Sequence, residues 1–323
     1  MTYAMSRWLP AGATMLGLAL ACSGAYAQSG QGSWTPKTPL DMPRNEVVAA
    51  GANGRVYVLG GNTRDKYDLT LNEEYDPATG KWRLRAPLPS GANHMGAASL
   101  NGKIYAVGGF AASGHKAATA NVFEYDPVTD GWRPLAPLPV ERGSIAVAVL
   151  GGKIHAIGGR NDKEMTALQH VYDPATNSWS TAAPMSRGRD HMVAQALNGK
   201  IHAIGGRWNA SSEKTDMHEI YDPATNSWTL GPPLPTARSG GTGIVFRDMI
   251  LVIGGESGSG GTTYVENEAF DPKTNQWVPL APMPTGRHAF GLAVAGTDLY
   301  LVAGSTGPGG SGITADMISF TLQ

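Results

Sequence analysis

The sequence of 323 residues contains one cysteine, Cys22, and has a formal net charge of only −1. A single cysteine forms neither an internal disulfide nor a site built from several thiolates. A nearly neutral chain also gives no electrostatic reason to expect nucleic acid or an anionic membrane surface as a partner. The composition therefore excludes a disulfide-rich scaffold and predicts no nucleic-acid partner.

The sequence lacks any apolar run of the roughly 20 residues that a transmembrane helix needs. The apolar run at residues 9–21 is shorter, follows Arg7, and precedes the triplet Ala25-Tyr26-Ala27. This order is typical of an export signal cleaved after Ala27. We therefore expect a signal peptide at residues 1–27 and a periplasmic or secreted mature chain without membrane insertion.

Lipid attachment at Cys22 is the competing interpretation of the leader, since Leu20-Ala21-Cys22 could form a lipoprotein site. The preceding Ala19-Leu20 fits such a site poorly, which favours ordinary cleavage. Cleavage after Ala27 would remove Cys22 and leave a mature chain without cysteine.

Several catalytic signatures are absent from the sequence. It has no His-Glu-x-x-His, no Gly-x-Ser-x-Gly and no phosphate-binding glycine loop ending in Lys-Ser/Thr. These motifs mark common zinc hydrolases, serine hydrolases and nucleotide-binding proteins. We predict no metal and no cofactor.

The sequence does contain a repeat with a period of about 50 residues. A double glycine recurs as Gly60-Gly61, Gly108-Gly109, Gly158-Gly159, Gly205-Gly206 and Gly254-Gly255, with Ala303-Gly304 as a degraded sixth copy. Tryptophan keeps the same period at Trp34, Trp82, Trp132, Trp179, Trp228 and Trp277. Before each of the last five lies an aromatic-Asp-Pro triplet, such as Tyr172-Asp173-Pro174.

Each repeat predicts four short strands separated by glycine- and proline-containing turns. The last repeat ends at Gln323 without a tryptophan strand, whereas Trp34 has no preceding strands of its own. Pairing the Trp34 strand with the last repeat would close a ring and remove exposed sheet edges. We therefore predict an all-β, six-bladed propeller over residues 28–323.

The Gly-Gly and Trp pattern resembles the kelch repeat over essentially the whole predicted mature chain. Galactose oxidase shares this repeat, but its copper site needs a Tyr-Cys crosslink, which a mature chain without cysteine cannot form. The iron-dependent kelch specifier proteins of plants use a Glu-x-x-x-Asp-x-x-x-His motif that this sequence lacks.

The chain also resembles exported bacterial kelch proteins of the sialic acid mutarotase (N-acetylneuraminate epimerase) family. In that family a Glu follows the double glycine of the fifth blade, and an Arg comes six residues later. Glu256 matches the first position, whereas Thr262 stands at the second. Arg189-Asp190 also matches the family. The resemblance implies that Glu256 is an acid-base residue, with Arg207 or Arg287 as possible replacements for the missing Arg.

One face of the propeller is predicted to concentrate positive charge. In a four-stranded blade, the loop after the second strand and the loop leading into the first strand emerge on the same side. Counting along the repeats places the following residues there: Arg44, His94, Arg142, Arg160, Arg187, Arg189, His191, Arg207, Arg238, Arg287 and His288. Guanidinium groups so placed favour a ligand that carries a carboxylate.

Bracing of the blades is the alternative role for the arginines that precede each first strand, and the sequence alone does not decide between the two. Arg160 and Arg207, which end the two copies of Ile-His-Ala-Ile-Gly-Gly-Arg, favour binding and are expected to be dispensable for folding. Trp208 could stack on a sugar or lie against its own blade. His155 and His202 occupy a register that other blades fill with Tyr, which predicts packing.

These observations leave two functional hypotheses. The first is an exported binding module that recognises an anionic carbohydrate or an acidic protein segment at the arginine-rich mouth. The second is a sialate-type sugar mutarotase in which Glu256 is the acid-base residue. Folds of this kind host many functions, so the repeat alone does not choose between them.

Overall fold

The computed structural model describes Met1 and residues 32–208, 213–258 and 261–322. These residues form an all-β structure of six four-stranded antiparallel sheets arranged around an axis. We number the sheets blades 1 to 6 in chain order. Most of the predicted signal peptide, residues 1–27, lies outside the described residues, and so does Cys22.

The first three blades follow one another along the chain. Blade 1 contains β2 (Val48–Ala52), β3 (Arg55–Leu59), β4 (Asn72–Asp76) and β5 (Lys81–Leu84). Blade 2 contains β6 (Gly96–Leu100), β7 (Lys103–Val107), β10 (Val122–Asp126) and β11 (Gly131–Pro134), with a hairpin of β8 (Phe110–Ala112) and β9 (Lys116–Ala118) inserted after β7. Blade 3 contains β12 (Ala146–Leu150), β13 (Lys153–Ile157), β14 (Gln169–Asp173) and β15 (Ser178–Ala182).

The remaining three blades repeat this order. Blade 4 contains β16 (Val193–Leu197), β17 (Lys200–Ile204), β18 (His218–Asp222) and β19 (Ser227–Leu230). Blade 5 contains β20 (Thr242–Phe246), β21 (Met249–Ile253), β22 (Asn267–Asp271) and β23 (Gln276–Pro279). Blade 6 contains β24 (Gly291–Ala295), β25 (Asp298–Val302), β26 (Met317–Thr321) and β1 (Ser33–Lys37), with a short 3₁₀ helix at Pro308–Gly310.

The Trp34 strand closes the ring, as predicted. Trp34 pairs with Phe320 of β26, and the two rings pack with centroids 4.9 Å apart. The indole N–H of Trp34 also donates to the carbonyl oxygen of Ala281, which follows blade 5. The first described strand of the chain is therefore the outer strand of the last blade.

The repeated tryptophans fasten each outer strand to the segment that leaves the preceding blade. Each indole N–H donates to a backbone carbonyl oxygen at 2.8–3.0 Å: Trp34 to Ala281, Trp82 to Thr38, Trp132 to Ala86, Trp179 to Ala136, Trp228 to Ala183 and Trp277 to Pro232. Apolar side chains of adjacent blades fill the space between the sheets; Tyr57, Ile104 and Tyr125 share one such cluster. The hydrophobic core therefore consists of layers between blades.

The double glycine ends the second strand where the backbone turns sharply against the loop that leads into a blade. Gly158 and Gly159 have φ values of +59° and +86°. A Cβ atom on Gly159 would lie 2.7 Å from the carbonyl oxygen of Gly143. The position thus requires a residue that adopts positive φ and has no side chain. This requirement explains why the pair recurs in successive blades.

The described residues include no helix with the length and hydropathy needed to cross a membrane.

Candidate functional site

The loops that lead into the blades meet the loops after the double glycines on one face, as predicted from the repeat. One isolated β-bridge joins the two loops in each blade: Asn45 with Asn62, Asn93 with Phe110, Gly143 with Arg160, Asp190 with Arg207, Ser239 with Glu256 and His288 with Ser305. We call the opening that these loops surround the mouth. Arg160, Arg207 and Glu256 therefore occupy equivalent positions in blades 3, 4 and 5.

A ring of six residues narrows the mouth around the axis. Its members are Glu46, His94, Ser144, His191, Gly240 and Ala289, and all have φ between +48° and +67°. In five steps around this axial ring, a backbone N–H donates to the carbonyl oxygen of the previous member at 2.9–3.3 Å. Beneath the ring, the first strands enclose an axial cavity of about 470 Å³. The ring brings one side-chain position from each blade to the same opening.

Five arginines predicted as ligand contacts are instead buried braces. Arg44, Arg142, Arg189, Arg238 and Arg287 are 0–4% exposed. Arg189, for example, donates to Glu219 Oε2 at 2.6 Å and to the carbonyl oxygen of Gly205 at 2.7 Å. Groups so enclosed do not reach a ligand in the mouth. The ligand-contact prediction for these five is therefore corrected.

Four of these arginines have a side-chain partner on the third strand of the same blade, not on a neighbouring blade, whereas Arg287 donates to the carbonyl oxygens of Ala303 and Asp316. The four side-chain partners occupy the position two residues before the repeated aromatic: Glu73 for Arg44, His170 for Arg142, Glu219 for Arg189 and Glu268 for Arg238. Blade 2 has Ala92 in place of the arginine and Phe123 in place of its partner. This paired replacement is a sequence signal for the brace that was not used in the prediction.

Arg207 lies at the mouth and is held by an ion pair. Its Nε donates to Asp190 Oδ1 at 2.9 Å, its NH2 lies 3.4 Å from His191 Nε2, and its NH1 lies 4.0 Å from Glu256 Oε1. Burial works against ionisation of the Asp190 carboxyl, but contacts from His191 and Arg207 hold its pKa below the usual range. Arg207 is itself only 5% exposed, so its role includes structural support.

Arg160 is half-buried and has a different environment from Arg207. Its bridge partner is Gly143, which has no side chain, and its Nε donates to the carbonyl oxygen of Asn161 at 3.4 Å. Within the described part of the chain, no carboxylate lies within 4.0 Å of its guanidinium. Arg160 can therefore offer its charge to a ligand with less competition.

Glu256, the predicted acid-base residue, lies beside two other predicted site residues. Its Oε2 accepts a hydrogen bond from the Gly309 N–H at 2.8 Å and lies 3.6 Å from His288 Nε2. Arg207 approaches the other carboxylate oxygen. The structure thus brings a carboxylate, an imidazole and a guanidinium together from blades 4, 5 and 6.

Trp208 follows Arg207 and is half-buried. The guanidinium carbon of Arg187 lies 4.4 Å from the centroid of the Trp208 ring. One ring face is therefore covered by a cation, at a distance typical of cation–π contact. Only the opposite face could stack on a sugar.

Three histidines form a cluster at the mouth, and one of them was missed by sequence reasoning. His94 and His191 belong to the axial ring, whereas His115 comes from the β8–β9 hairpin of blade 2. Their ring centroids lie 4.7–5.1 Å apart. His94 Nε2 also lies 3.0 Å from Oε2 of Glu46, another residue that the prediction missed. Glu46 could have been found from its register, since it follows Arg44 by the same two residues that separate His191 from Arg189.

Burial sets the charge of these groups. Burial and the neighbouring His191 and His94 lower the pKa of His115 to about 2. Burial and Arg207 also lower the pKa of His191. Burial alone would raise the pKa of Glu46, but the His94 imidazole beside it brings the pKa below its usual range. The shifted pKa values thus favour ionised carboxylates at Glu46 and Asp190 and neutral imidazoles at His115 and His191.

His155 and His202 are packing residues, as predicted. Both are 5% exposed, and His155 Nδ1 lies 2.9 Å from the side-chain nitrogen of Gln169. His202 Nδ1 lies 2.8 Å from His218 Nε2. Burial lowers the pKa of each to about 4. Both are therefore neutral at pH 7.

Comparisons with known proteins agree with the repeat. A family model of the KLHDC2/KLHL20/DRC7 kelch-repeats domain matches residues 31–189, and the kelch motif matches residues 188–235 and 237–284. Human Kelch-like protein 30 is 41% identical over 49 residues, which are 15% of this chain and 8% of that protein. The solved structure of YjhT superposes with a TM-score of 0.74 at 19% identity, over 87% of this chain and 95% of that one.

The match to Kelch-like protein 30 spans less than a tenth of that relative, and the identity to YjhT is low, so these two likenesses describe the repeat and the fold. Together with six four-stranded blades and the matched repeats, they lead to one conclusion. The chain is a six-bladed β-propeller built of kelch repeats.

Proposed function

We propose that the mouth binds a small anionic carbohydrate. The observation that carries the proposal is the half-buried guanidinium of Arg160 beside the mouth, which has no carboxylate within 4.0 Å in the described part of the chain. Arg207 adds a second guanidinium from the next blade, held between Asp190 and Glu256. Carboxylates and imidazoles around them can accept or donate hydrogen bonds to sugar hydroxyls, while the guanidinium groups pair with the acidic substituent.

The size of the cavity favours a sugar over an acidic protein segment. Small-molecule sites typically enclose roughly 300–1,000 Å³, and the axial cavity has a volume of about 470 Å³. A protein segment would instead need a broad surface, and five of the arginines expected to form one are buried. An acidic peptide is therefore the alternative ligand in the test.

The test is a calorimetric titration with N-acetylneuraminate, with its neutral relative N-acetylmannosamine, and with a Glu-rich peptide. We expect binding of the acidic sugar, weaker binding of the neutral one, and a loss of about tenfold or more in Arg160→Ala, as for a charge-assisted hydrogen bond. Higher salt should reduce the difference. Binding of the peptide alone, or equal affinity for both sugars, would overturn the proposal.

A sugar mutarotase is the second candidate, favoured by the 3.6 Å approach of Glu256 and His288 beside Arg207. Mutarotation needs a base that takes the proton of the anomeric hydroxyl and an acid that protonates the ring oxygen as the C–O bond breaks. Glu256 could take the first role and His288 the second, with the order reversed when the ring closes again. Arg207 could hold the sugar carboxylate in place of the arginine that Thr262 replaces.

Exchange between anomers, followed by NMR, tests this candidate. An active enzyme should speed exchange of N-acetylneuraminate well beyond the buffer rate, and Glu256→Gln should remove most of the gain, typically 10²-fold or more for an acid-base residue. If N-acetylneuraminate binds but its anomers exchange no faster than in buffer, the mutarotase hypothesis is rejected and the binding-module hypothesis remains.

We also propose that the chain is exported by cleavage after Ala27. The proposal rests on the sequence pattern of residues 1–27. Mass spectrometry of protein from the periplasmic fraction of an expressing bacterium should show a chain that begins at Gln28. A lipid-modified chain that begins at Cys22 would support the lipoprotein alternative.

A further inference from the structure

We propose that His94, His115 and His191 bind a divalent transition-metal ion at the mouth. The nitrogen atoms that these three side chains offer as ligands lie within 4.8 Å of one another. This proposal does not rest on carbohydrate binding, since the metal ligands alone define it. Imidazole nitrogens suit Zn²⁺ and its first-row neighbours, and a site of three histidines with an open fourth position is a known arrangement for zinc.

Two of the three imidazoles have an oxygen atom close to Nδ1. Asp190 Oδ1 lies 3.0 Å from His191 Nδ1, and Asn93 Oδ1 contacts Nδ1 of His94. An oxygen close to Nδ1 favours a proton there and Nε2 as the metal ligand. In His94, a metal at Nε2 would take the place of the contact with Glu46 Oε2. In metal sites, a ligating histidine commonly has such a carboxylate or carbonyl partner.

His115 provides the third nitrogen. Its Nε2 is buried and has no hydrogen-bond partner among the described residues. The hairpin that carries it is fixed on blade 3, because Asp162 accepts hydrogen bonds from the Ala117 and Ala118 N–H groups at 3.0 and 2.9 Å. A buried nitrogen without a partner is costly, and a bound metal would remove that cost.

Local charge also favours a cation. Glu46 lies 3.0 Å from His94 Nε2 and is within reach as a fourth ligand. Glu46 and Asp190 supply two negative charges near the cluster, against the single charge of Arg207, whose NH2 lies 3.4 Å from His191 Nε2. A metal would also replace this long contact. The three nitrogens must also draw together to roughly 3.3 Å for tetrahedral zinc, given Zn–N bonds of about 2.0–2.1 Å.

The experiment uses the full chain without a histidine tag, treated with EDTA and then titrated with Co²⁺. Tetrahedral Co²⁺ gives intense visible absorption bands, and a chromophoric chelator then measures Zn²⁺ affinity by competition. We expect one ion per chain. His115→Ala and His191→Ala should each lower the affinity by about 100-fold or more, because each removes one of three ligands and the loss of a group that only supports a ligand already costs about 10–100-fold.

Ser113→Ala, at the exposed tip of the same hairpin, is the matched control and should bind Co²⁺ like the unaltered chain. Circular dichroism of each variant checks the fold, and His115→Ala is the decisive variant because its side chain lies on a loop. Equal affinity of His115→Ala and the unaltered chain would overturn the proposal. So would weak binding without the tetrahedral spectrum, which would indicate an adventitious ion only. Zinc binding without sugar binding would reject the proposed function and leave the metal site in place.

Discussion

Arg207 and Asp190 form an ion pair in which Nε lies 2.9 Å from Oδ1 and the carboxylate is fully buried. Arg160 ends an identical heptapeptide one blade earlier, but its bridge partner is Gly143. The same seven residues therefore place one arginine in an ion pair and leave the other beside bare backbone. The residue opposite the arginine, Asp190 in one blade and Gly143 in the other, determines whether the ion pair forms.

This contrast predicts different effects of the same substitution. Arg207→Ala should lower the free energy of unfolding by about 3 kcal/mol, since it leaves the Asp190 carboxylate buried without its cation. Arg160→Ala, the matched control, should change it by only about 0.5 kcal/mol. Urea denaturation measures both. Equal, small losses would show that the ion pair contributes little, as the sequence alone suggested for both arginines.

The buried brace of blade 4 can be tested against the natural replacement in blade 2. Arg189→Ala should lower the free energy of unfolding by about 3–5 kcal/mol, because Glu219 then loses its buried partner. The double variant Arg189→Ala/Glu219→Phe copies Ala92 and Phe123 of blade 2 and should recover part of that loss. If the loss in the double variant, relative to the unaltered chain, equals the sum of the losses in Arg189→Ala and Glu219→Phe, the pair is not coupled.

Closure of the ring predicts that the N-terminal strand is needed for stability. Deletion of residues 28–40 should lower the melting temperature and promote aggregation, because β26 becomes an unpaired edge. Trp34→Phe keeps an aromatic ring against Phe320 and removes only the hydrogen bond to Ala281, so its effect should be about 1 kcal/mol. Thermal denaturation and size-exclusion chromatography distinguish the cases. A truncated chain that remains monomeric with an unchanged melting temperature would contradict the role of closure.

Buried histidines predict a loss of stability in mild acid. Burial lowers the pKa of His155, His170, His202 and His218 to about 4, whereas an unfolded histidine titrates near 6.5. Between these two values the unfolded chain binds more protons, so stability falls as the pH drops from about 6.5 to 4. Above pH 6.5 these groups have no effect.

His155→Tyr tests this pH dependence, because Tyr57 and Tyr105 fill the same register in blades 1 and 2. Between pH 6.5 and 4, the free energy of unfolding of the variant should fall less steeply than that of the unaltered chain. The two slopes should differ by about 1.4 kcal/mol per pH unit. Urea denaturation at pH 7, 6, 5 and 4 gives both slopes. Parallel curves for the variant and the unaltered chain would show that His155 does not titrate in this range.

The repeat made the fold predictable, because features such as Gly158-Gly159 and Trp179 are fixed by local backbone geometry and by contacts that recur in each blade. Closure by Trp34 followed from counting strands. The repeat did not predict where the Arg189 side chain points, because that side chain bonds to Glu219, which lies 30 residues later in the chain. Only the paired change at Ala92 and Phe123 carried that information.

The histidine cluster was harder to predict because part of it lies outside the repeat. His94 and His191 have a repeat register, but His115 belongs to a hairpin inserted after β7 in blade 2. Its approach to His191 depends on hydrogen bonds to Asp162 of the next blade. Contacts between blades 2, 3 and 4 of this kind leave no periodic pattern in the sequence.

In the axial ring, the backbone supports the mouth, whereas the side chains determine its chemistry. Its backbone groups bond to each other, so the ring holds without help from the side chains that it carries. Those side chains differ widely, from Glu46 through His94 and Ser144 to Gly240 and Ala289, on one shared backbone conformation. Evolution or design can thus exchange a residue at each of six equivalent positions and change specificity while the propeller stays intact.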